Sequence, residues 1–180
     1  FPEDVKDTFF LPPIQQFVES ASRINSELKI VVVSFQIPGN IKRYNWKGIE
    51  VFSSCGKNKA KFFRLRTWFR AFFILRKIKN ENNLIGVLSL WATECALVSK
   101  YFCWIYSHKH YIWLQGQDAR KSNQYINRIR PKSNELIAMS DFLREEFIKN
   151  HKVRPFMVAE NGVNPDIFPP LYSENRTFDV

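Results

Sequence analysis

The sequence predicts an α/β domain built on a doubly wound parallel sheet with helices on both faces. Three observations predict it. Short runs of β-branched and apolar residues alternate with longer stretches whose apolar residues recur at helical spacing, the pattern of repeated βαβ units. Residues 135–168 spell out one such unit. An apolar run over 136–139 meets a Ser140-Asp141 helix start. Phe142, Leu143, Phe147 and Ile148 follow at helical spacing, and a second apolar run over 156–159 ends in Asn161-Gly162. Finally, 180 residues with 45% hydrophobic and 16% aromatic content suffice for one domain with a substantial core.

The elements follow in order. Pro12-Pro13 opens a helix, since a proline in the first turn loses no intrahelical donor, and Ile14, Phe17, Val18, Ala21 and Ile24 continue it. Residues 28–35 read as a central strand and 49–53 as a short one. A long helix over 59–79, a strand over 84–90, a helix over 92–106 and a strand over 110–114 come next. A short helix over 123–130 is stopped by Pro131 before the 135–168 unit begins. At Asn161-Gly162 the chain can take positive φ and turn sharply. Residues 178–180 resemble a strand that has just begun. Both ends read as cut, because a doubly wound sheet starts on a strand whose C-terminal loop often carries glycines for a ligand, and here a helix comes first.

The formal charge of +10 points to an anionic partner, a membrane surface, a phosphorylated ligand or nucleic acid, unless it is simply a solvated basic surface. No apolar run approaches the ~20 residues of a membrane-spanning helix. No secretory signal is visible. Cys55, Cys95 and Cys103 are scattered, odd in number and suited to a reducing compartment. His108, His110 and His151 lack ligand spacing, so no metal site is expected.

Charge concentrates between Lys57 and Lys79, where nine cations meet no acid. At about 100° per residue, Phe62, Leu65, Trp68, Phe69, Phe72 and Phe73 share one broad face. Arg66, Arg70 and Lys77 form a basic stripe beside it, and Phe63, Ile74 and Ile78 a second apolar patch beyond the stripe. The plainer expectation is that the broad face packs on the sheet. The stripe and second patch then read as contact with an anionic membrane surface through Arg66, Arg70 and Lys77. Nucleic acid is disfavoured, because the aromatics lie on a core-like face and no binding motif for it is present.

Ligands of open parallel sheets bind beyond the carboxyl ends of the strands. The segments there are 36–40, Trp91-Ala-Thr-Glu94, Gln115-Gly-Gln-Asp-Ala-Arg120, Ser140-Asp141 and Glu160-Asn-Gly162. Gln115, Gln117, Asp118 and Arg120 can recognise hydroxyls and a phosphate or carboxylate. Trp91 offers a platform for a sugar ring and Glu94 an acceptor for hydroxyls. Equally, Asp118 can cap the following segment and pair with Arg120, Trp91 can be core, and Glu94 an exposed helix-start acid. Ser140-Asp141 reads mainly as a cap. No phosphate-binding Walker loop, Gly-x-Ser-x-Gly elbow or Asp-x-Asp pair is present, and no catalytic residue is assigned.

With these residues in hand, the chain resembles the N-terminal domain of group 1 glycosyltransferases, retaining enzymes with two facing Rossmann-like lobes (the GT-B architecture). Met139-Ser-Asp-Phe142 looks like the family's Ser-x-x helix start. Ala159-Glu-Asn-Gly-Val-Asn164 with Phe168 is similar to its Pro-Asn-Gly-Val-Asp…Phe segment before the interlobe linker. Leu114-Gln-Gly-Gln-Asp118 stands where the family often has a His-Gly-x-Asp-like loop, Trp91 to Glu94 at the neighbouring acceptor-side loop, and Pro12 to Phe17 at the first helix. The departures are Gln115 for the histidine, which removes an acid or base, Asn164 for an aspartate, and no glycine-rich first loop or paired glutamates.

The resemblance implies that 1–168 is an acceptor-side Rossmann-like domain and 169–180 a linker with the start of a donor-binding lobe, Asn161 and Gly162 forming the hinge. It implies a cytoplasmic enzyme, peripheral on the inner face of the plasma membrane, that moves a hexose from a nucleotide sugar to a glycan or lipid-linked saccharide in cell-surface polysaccharide or lipopolysaccharide synthesis. No metal or cofactor is implied; the nucleotide sugar is a substrate bound mainly by the other lobe. Trp91, Glu94, Gln115, Gln117, Asp118 and Arg120 would position the acceptor, and the fragment alone would be inactive. The alternatives are a non-enzymatic α/β module that docks on a membrane or nucleic acid, and another two-lobe enzyme such as a nucleotide-sugar epimerase.

Overall fold

The computed structural model describes residues 12–25, 27–36, 43–56 and 61–162, with backbone alone at 61–62. The elements run α1 (Pro12–Ile24), β1 (Val31–Ser34), β2 (Arg43–Trp46), β3 (Ile49–Ser53), α2 (Lys61–Glu81), β4 (Gly86–Leu90), α3 (Glu94–Tyr106), β5 (Lys109–Leu114), α4 (Gln124–Ile129), β6 (Leu136–Ala138), α5 (Asp141–His151) and β7 (Met157–Val158). Single 3₁₀ turns cover Gly116–Ala119 and Ser133–Glu135. The fold is α/β, and its larger sheet, in the order β4-β5-β6-β7, is parallel throughout.

Two features differ from the expectation of one parallel sheet. A second sheet, ordered β1-β3-β2, pairs β1 with β3 in parallel but β2 with β3 antiparallel. The β2–β3 hairpin closes through Lys47 and Gly48, both at positive φ (48° and 84°), with Trp46 opposite Ile49. Positive φ at both loop residues is the geometry whose twist matches the strands. The Asn45 side-chain oxygen accepts from the Gly48 amide at 2.8 Å. No Asn-Gly or Asp-Gly pair announces this turn, so the sequence reading passed over it. Among the described residues β1 and β4 share no backbone ladder. They meet through side chains instead, with Lys29 donating to Asn82 at 3.0 Å near one end and Gln36 donating to Glu94 at the other.

Helices cover both faces of the smaller sheet. Ile30 and Val32 pack with Val18 of α1, whereas Val33 and Phe35 pack with Ala71, Leu75 and Phe102 of α2 and α3. One face of the parallel sheet, through Ile112, Leu114 and Leu136, packs with Leu97 of α3, Ile126 of α4 and Leu143 and Phe147 of α5. Its other face presents Leu88, Tyr111, Trp113, Ile137 and Met157. Phe17 of α1 meets Trp113 there at 4.8 Å, edge to face. Leu88 and Met157 remain 38% and 43% exposed.

The long basic helix packs differently from its expected face. Its buried row is Thr67, Ala71, Leu75 and Ile78, flanked by the half-buried Trp68 and Phe72. Small residues at 67 and 71 let the helix approach β1 and α3 closely, which turns Leu65, Phe69 and Phe73 outward. Of the second patch, Ile78 is core, Ile74 is half-buried and Phe63 is exposed. Arg66, Arg70 and Lys77 are exposed. Gly162 does not take the positive φ foreseen for the exit. The expected boundary at 168, Asn164, Phe168 and the strand over 178–180 lie outside the described residues, as do 37–40.

Candidate functional site

The carboxyl ends of β1, β4 and β5 converge on Glu94. Trp91 follows β4, and its amide donates to the Trp113 carbonyl at 3.1 Å, which continues the β4–β5 pairing by one bond. The chain then turns sharply. Trp91 sits at φ 77°, a conformation that a bulky L-residue adopts only under constraint. The turn lets α3 begin at Glu94, whose carboxylate lies in the first helical turn, where the helix dipole favours negative charge.

Both carboxylate oxygens of Glu94 are held. Gln36, beyond β1, donates to Oε1, and the Trp68 indole of α2 donates to Oε2 at 2.8 Å. Tyr125 of α4 stands close enough for Glu94 to influence it. Burial first, and the Glu94 charge second, push its phenol above the ordinary range, while the Arg64 charge, then the Arg128 charge and last a hydrogen bond with Arg64 oppose them. Strand ends and helices distant in sequence thus bring a carboxylate, an amide, an indole, a phenol and two guanidiniums to one place.

The loop after β5 forms the adjoining wall. Gly116–Ala119 closes as a 3₁₀ turn, the Asp118 amide donating to the Gln115 carbonyl at 2.8 Å. In return the Asp118 carboxylate accepts from the Gln115 amide at 2.9 Å. Asp118 is fully buried, and burial pushes its carboxyl up to about 6 against the pull of the Gln115 and Ala92 amides. Asn123 caps α4 and donates from Nδ2 to the carbonyls of Ala92 and Asp118 at 3.1 and 3.4 Å, tying the two loops together. Asn150 of α5 donates to the Ala119 carbonyl at 2.9 Å.

The six expected acceptor contacts therefore divide. Trp91, Glu94 and Gln115 lie on adjoining loops. Gln115 Nε2 is buried and meets no hydrogen-bond acceptor among the described residues, where an unmade bond is expensive. Asp118 shapes the loop from within, forming its bond to Gln115 and no ion pair with Arg120. Gln117 and Arg120 are exposed on the outer side of the turn. Ser140 caps α5, accepting from the Leu143 amide at 3.1 Å. Asn161 donates to the Met139 sulfur at 2.9 Å, so the hinge candidate rests against the end of β6, with Gly162 exposed after it.

Sequence reasoning missed Arg64, Trp68, Tyr125 and Arg128 as members of this cluster. Trp68 carried a signal: an indole N–H placed on an apolar face needs an acceptor when buried. The arrangement can bind hydroxyls and an anion through fixed acceptors, a spare amide donor and two guanidiniums. Cys95, beneath it, donates to the Leu90 carbonyl at 3.2 Å, and burial pushes its thiol up to about 11. Comparison with models of protein families, with curated proteins and with solved structures finds no match for this chain.

Proposed function

We propose that this chain is the acceptor-side lobe of a retaining, GT-B-type glycosyltransferase that moves a sugar from a nucleotide donor to a glycan or lipid-linked saccharide. The observation that carries the reading is the Glu94 carboxylate, fixed by Gln36 and Trp68 at the carboxyl edge of parallel strands, with Gln115 on the adjoining loop. A sugar acceptor presents hydroxyls that need oriented acceptors and donors, together with an apolar ring face that suits Trp91 or Tyr125. Arg64 and Arg128 suit an acceptor phosphate. The strand order is compatible with the reading, because the larger sheet is parallel throughout in the order β4-β5-β6-β7.

The roles follow from geometry. Glu94 orients an acceptor hydroxyl, Gln115 donates to a neighbouring oxygen, and activation of the leaving nucleotide belongs to the donor lobe. The test is nucleotide release by the complete enzyme from a panel of nucleotide sugars, with a lipid-linked saccharide as acceptor. Glu94→Gln keeps the size of the side chain but replaces one acceptor oxygen with a donor. It is expected to lower kcat/KM at least tenfold, consistent with about 1.4 kcal/mol per tenfold. Sugar transfer that is unaffected by Glu94→Gln and Gln115→Ala overturns the assignment of the site. Absence of transfer with every donor, together with binding to anionic vesicles or nucleic acid, favours the non-enzymatic module.

A further inference from the structure

We propose that the outer face of α2, continued by the outer turns of α3, is a docking surface that lies flat on an anionic membrane. Leu65, Phe69 and Phe73 follow one another at four-residue spacing and so form one row, 46%, 64% and 58% exposed. The helix is already anchored by a different row, Thr67, Ala71, Leu75 and Ile78. The outward row is therefore a second apolar face and not the rim of the core. Arg66 and Arg70 lie on one side of it, Arg76 on the other, and Lys77, four residues after Phe73, continues it, all exposed. The helix carries a single acid, Glu81, in its last turn, 3.8 Å from Lys77.

α3 lies beside α2, with Phe72 packed on Phe102 and Tyr106 at 5.6 and 6.3 Å. Its solvent side continues the apolar surface with Tyr101, Ile105 and Trp104, the last 76% exposed. Tyr101 is also one wall of an open cleft of about 660 Å³ lined by Trp68, Leu97, Asn127, Arg128 and Arg130, which brings two more guanidiniums to the rim. Apolar and aromatic side chains framed by cations are the chemistry of the headgroup boundary: rings enter the acyl edge while guanidiniums meet lipid phosphates. No helix of the described residues is long and apolar enough to cross a membrane, so the contact is interfacial. Nucleic acid fits this surface less well, because Leu65, Phe69 and Phe73 form a row on the outer side of a helix where a single strand needs a charged groove to track its backbone.

The experiment is vesicle flotation of the 180-residue chain with phosphatidylcholine alone and with phosphatidylcholine containing phosphatidylglycerol. Binding at least tenfold tighter to the anionic vesicles, weakening with salt, is expected. Brominated acyl chains should quench fluorescence, and Trp104→Phe should remove a large part of that quenching. Phe69→Gln with Phe73→Gln should lower binding at least tenfold, and Arg66→Gln with Arg70→Gln and Lys77→Gln should lower it and flatten its salt dependence. All these positions are exposed, so circular dichroism and the melting midpoint should stay at the parent values. Equal binding to both vesicle types, parent-like binding by the variants, or binding to single-stranded nucleic acid without binding to vesicles overturns the proposal. No donor sugar takes part, so the outcome is independent of the transferase reading.

Discussion

Trp91 holds φ at 77°, where its Cβ crowds the backbone, and it does so at the turn that aims Glu94. Its neighbours impose the angle: its amide is bonded to Trp113 and its carbonyl accepts from the Cys95 thiol at 3.4 Å. Trp91→Gly should therefore be more stable than Trp91→Ala by about 1 kcal/mol, the reverse of the usual order, as urea unfolding will measure. Asp118 and His110 give a second prediction, through pH. Burial raises Asp118 from 3.8 to about 6, so its charge costs stability that is absent below pH 4, grows as pH rises through 4 to 6 and persists above. Burial lowers His110 from 6.5 to about 4, Ser89 lying 3.0 Å from its Nε2, so the neutral ring's contribution is whole above pH 6.5 and lost as pH falls towards 4. Each shift is worth on the order of 3 kcal/mol, and between pH 4 and 6 the two slopes oppose one another. Asp118→Asn should unmask the histidine, leaving a variant whose unfolding free energy falls more steeply than the parent's on acidification; parallel curves would refute the assignment. At this scale the sequence was partly legible. Residues at strand ends named Trp91, Glu94 and Gln115, because the position of a ligand crevice follows from topology. It could not tell that Asp118 points inward, nor that Arg64 and Tyr125 arrive from other helices, because those facts depend on tertiary approach.

Among the elements, α5 shows how far local signals carry. Ser140 accepts from the Leu143 amide, Asp141 pairs with Arg144 at 2.7 Å in the first turn, and Lys152 ends the helix at φ 60°. All three are local, so a reading of Ser-Asp before an apolar period located the start of the helix. Ser140→Ala should cost about 1 kcal/mol in unfolding free energy, with Ser140→Asp recovering most of it. For α2 the periodicity was legible and the direction of its faces was not. Counting aromatics pointed to a face through Phe62, Leu65, Trp68, Phe69, Phe72 and Phe73, of which Trp68 and Phe72 pack on the core while Leu65, Phe69 and Phe73 are exposed; close packing favours the row through Thr67 and Ala71, where small side chains admit the neighbouring backbone. Gly56 shows the same constraint at a single contact. Its amide donates to the Phe35 carbonyl at 2.9 Å, and an added Cβ would meet that oxygen at 2.4 Å. The β2–β3 hairpin escaped notice because its turn is Lys-Gly and its outer strand alternates polar Arg43 and Asn45 with Tyr44 and Trp46 over four residues, too short a period to stand out.

At the scale of the whole molecule, the two sheets should behave as separable units of stability. The parallel sheet packs into a cluster of eleven buried residues that includes Ile112, Leu114 and Leu136, whereas the smaller sheet's own cluster holds four, Val18, Trp46, Ile49 and Val51, and every residue of β1 is only half-buried. Among the described residues the sheets share side-chain bonds and a common cluster over Ala71, Val98 and Phe102, but no ladder between β1 and β4. Opening the smaller sheet therefore breaks fewer buried contacts than opening the larger one. Such a difference appears as cooperative units that exchange their amides at different free energies. Hydrogen exchange followed by mass spectrometry should find the amides of residues 31–34 and 43–53 exchanging together, ahead of those of 110–114 and 136–138. The link at Glu94 belongs to this coupling, because Gln36 follows the smaller sheet, Trp68 stands on α2, and Glu94 opens the helix after β4. Trp68→Phe keeps the packing and removes the indole donor, so it should speed exchange in residues 31–34 while leaving 110–114 near the parent rate. One common exchange rate across both sheets would refute the division, and equal acceleration in both would show that the bond stabilises the domain globally. If the division holds, a site that spans both sheets is set by their relative placement, and a ligand that engages Gln36 and Glu94 together should slow exchange in β1 when it binds.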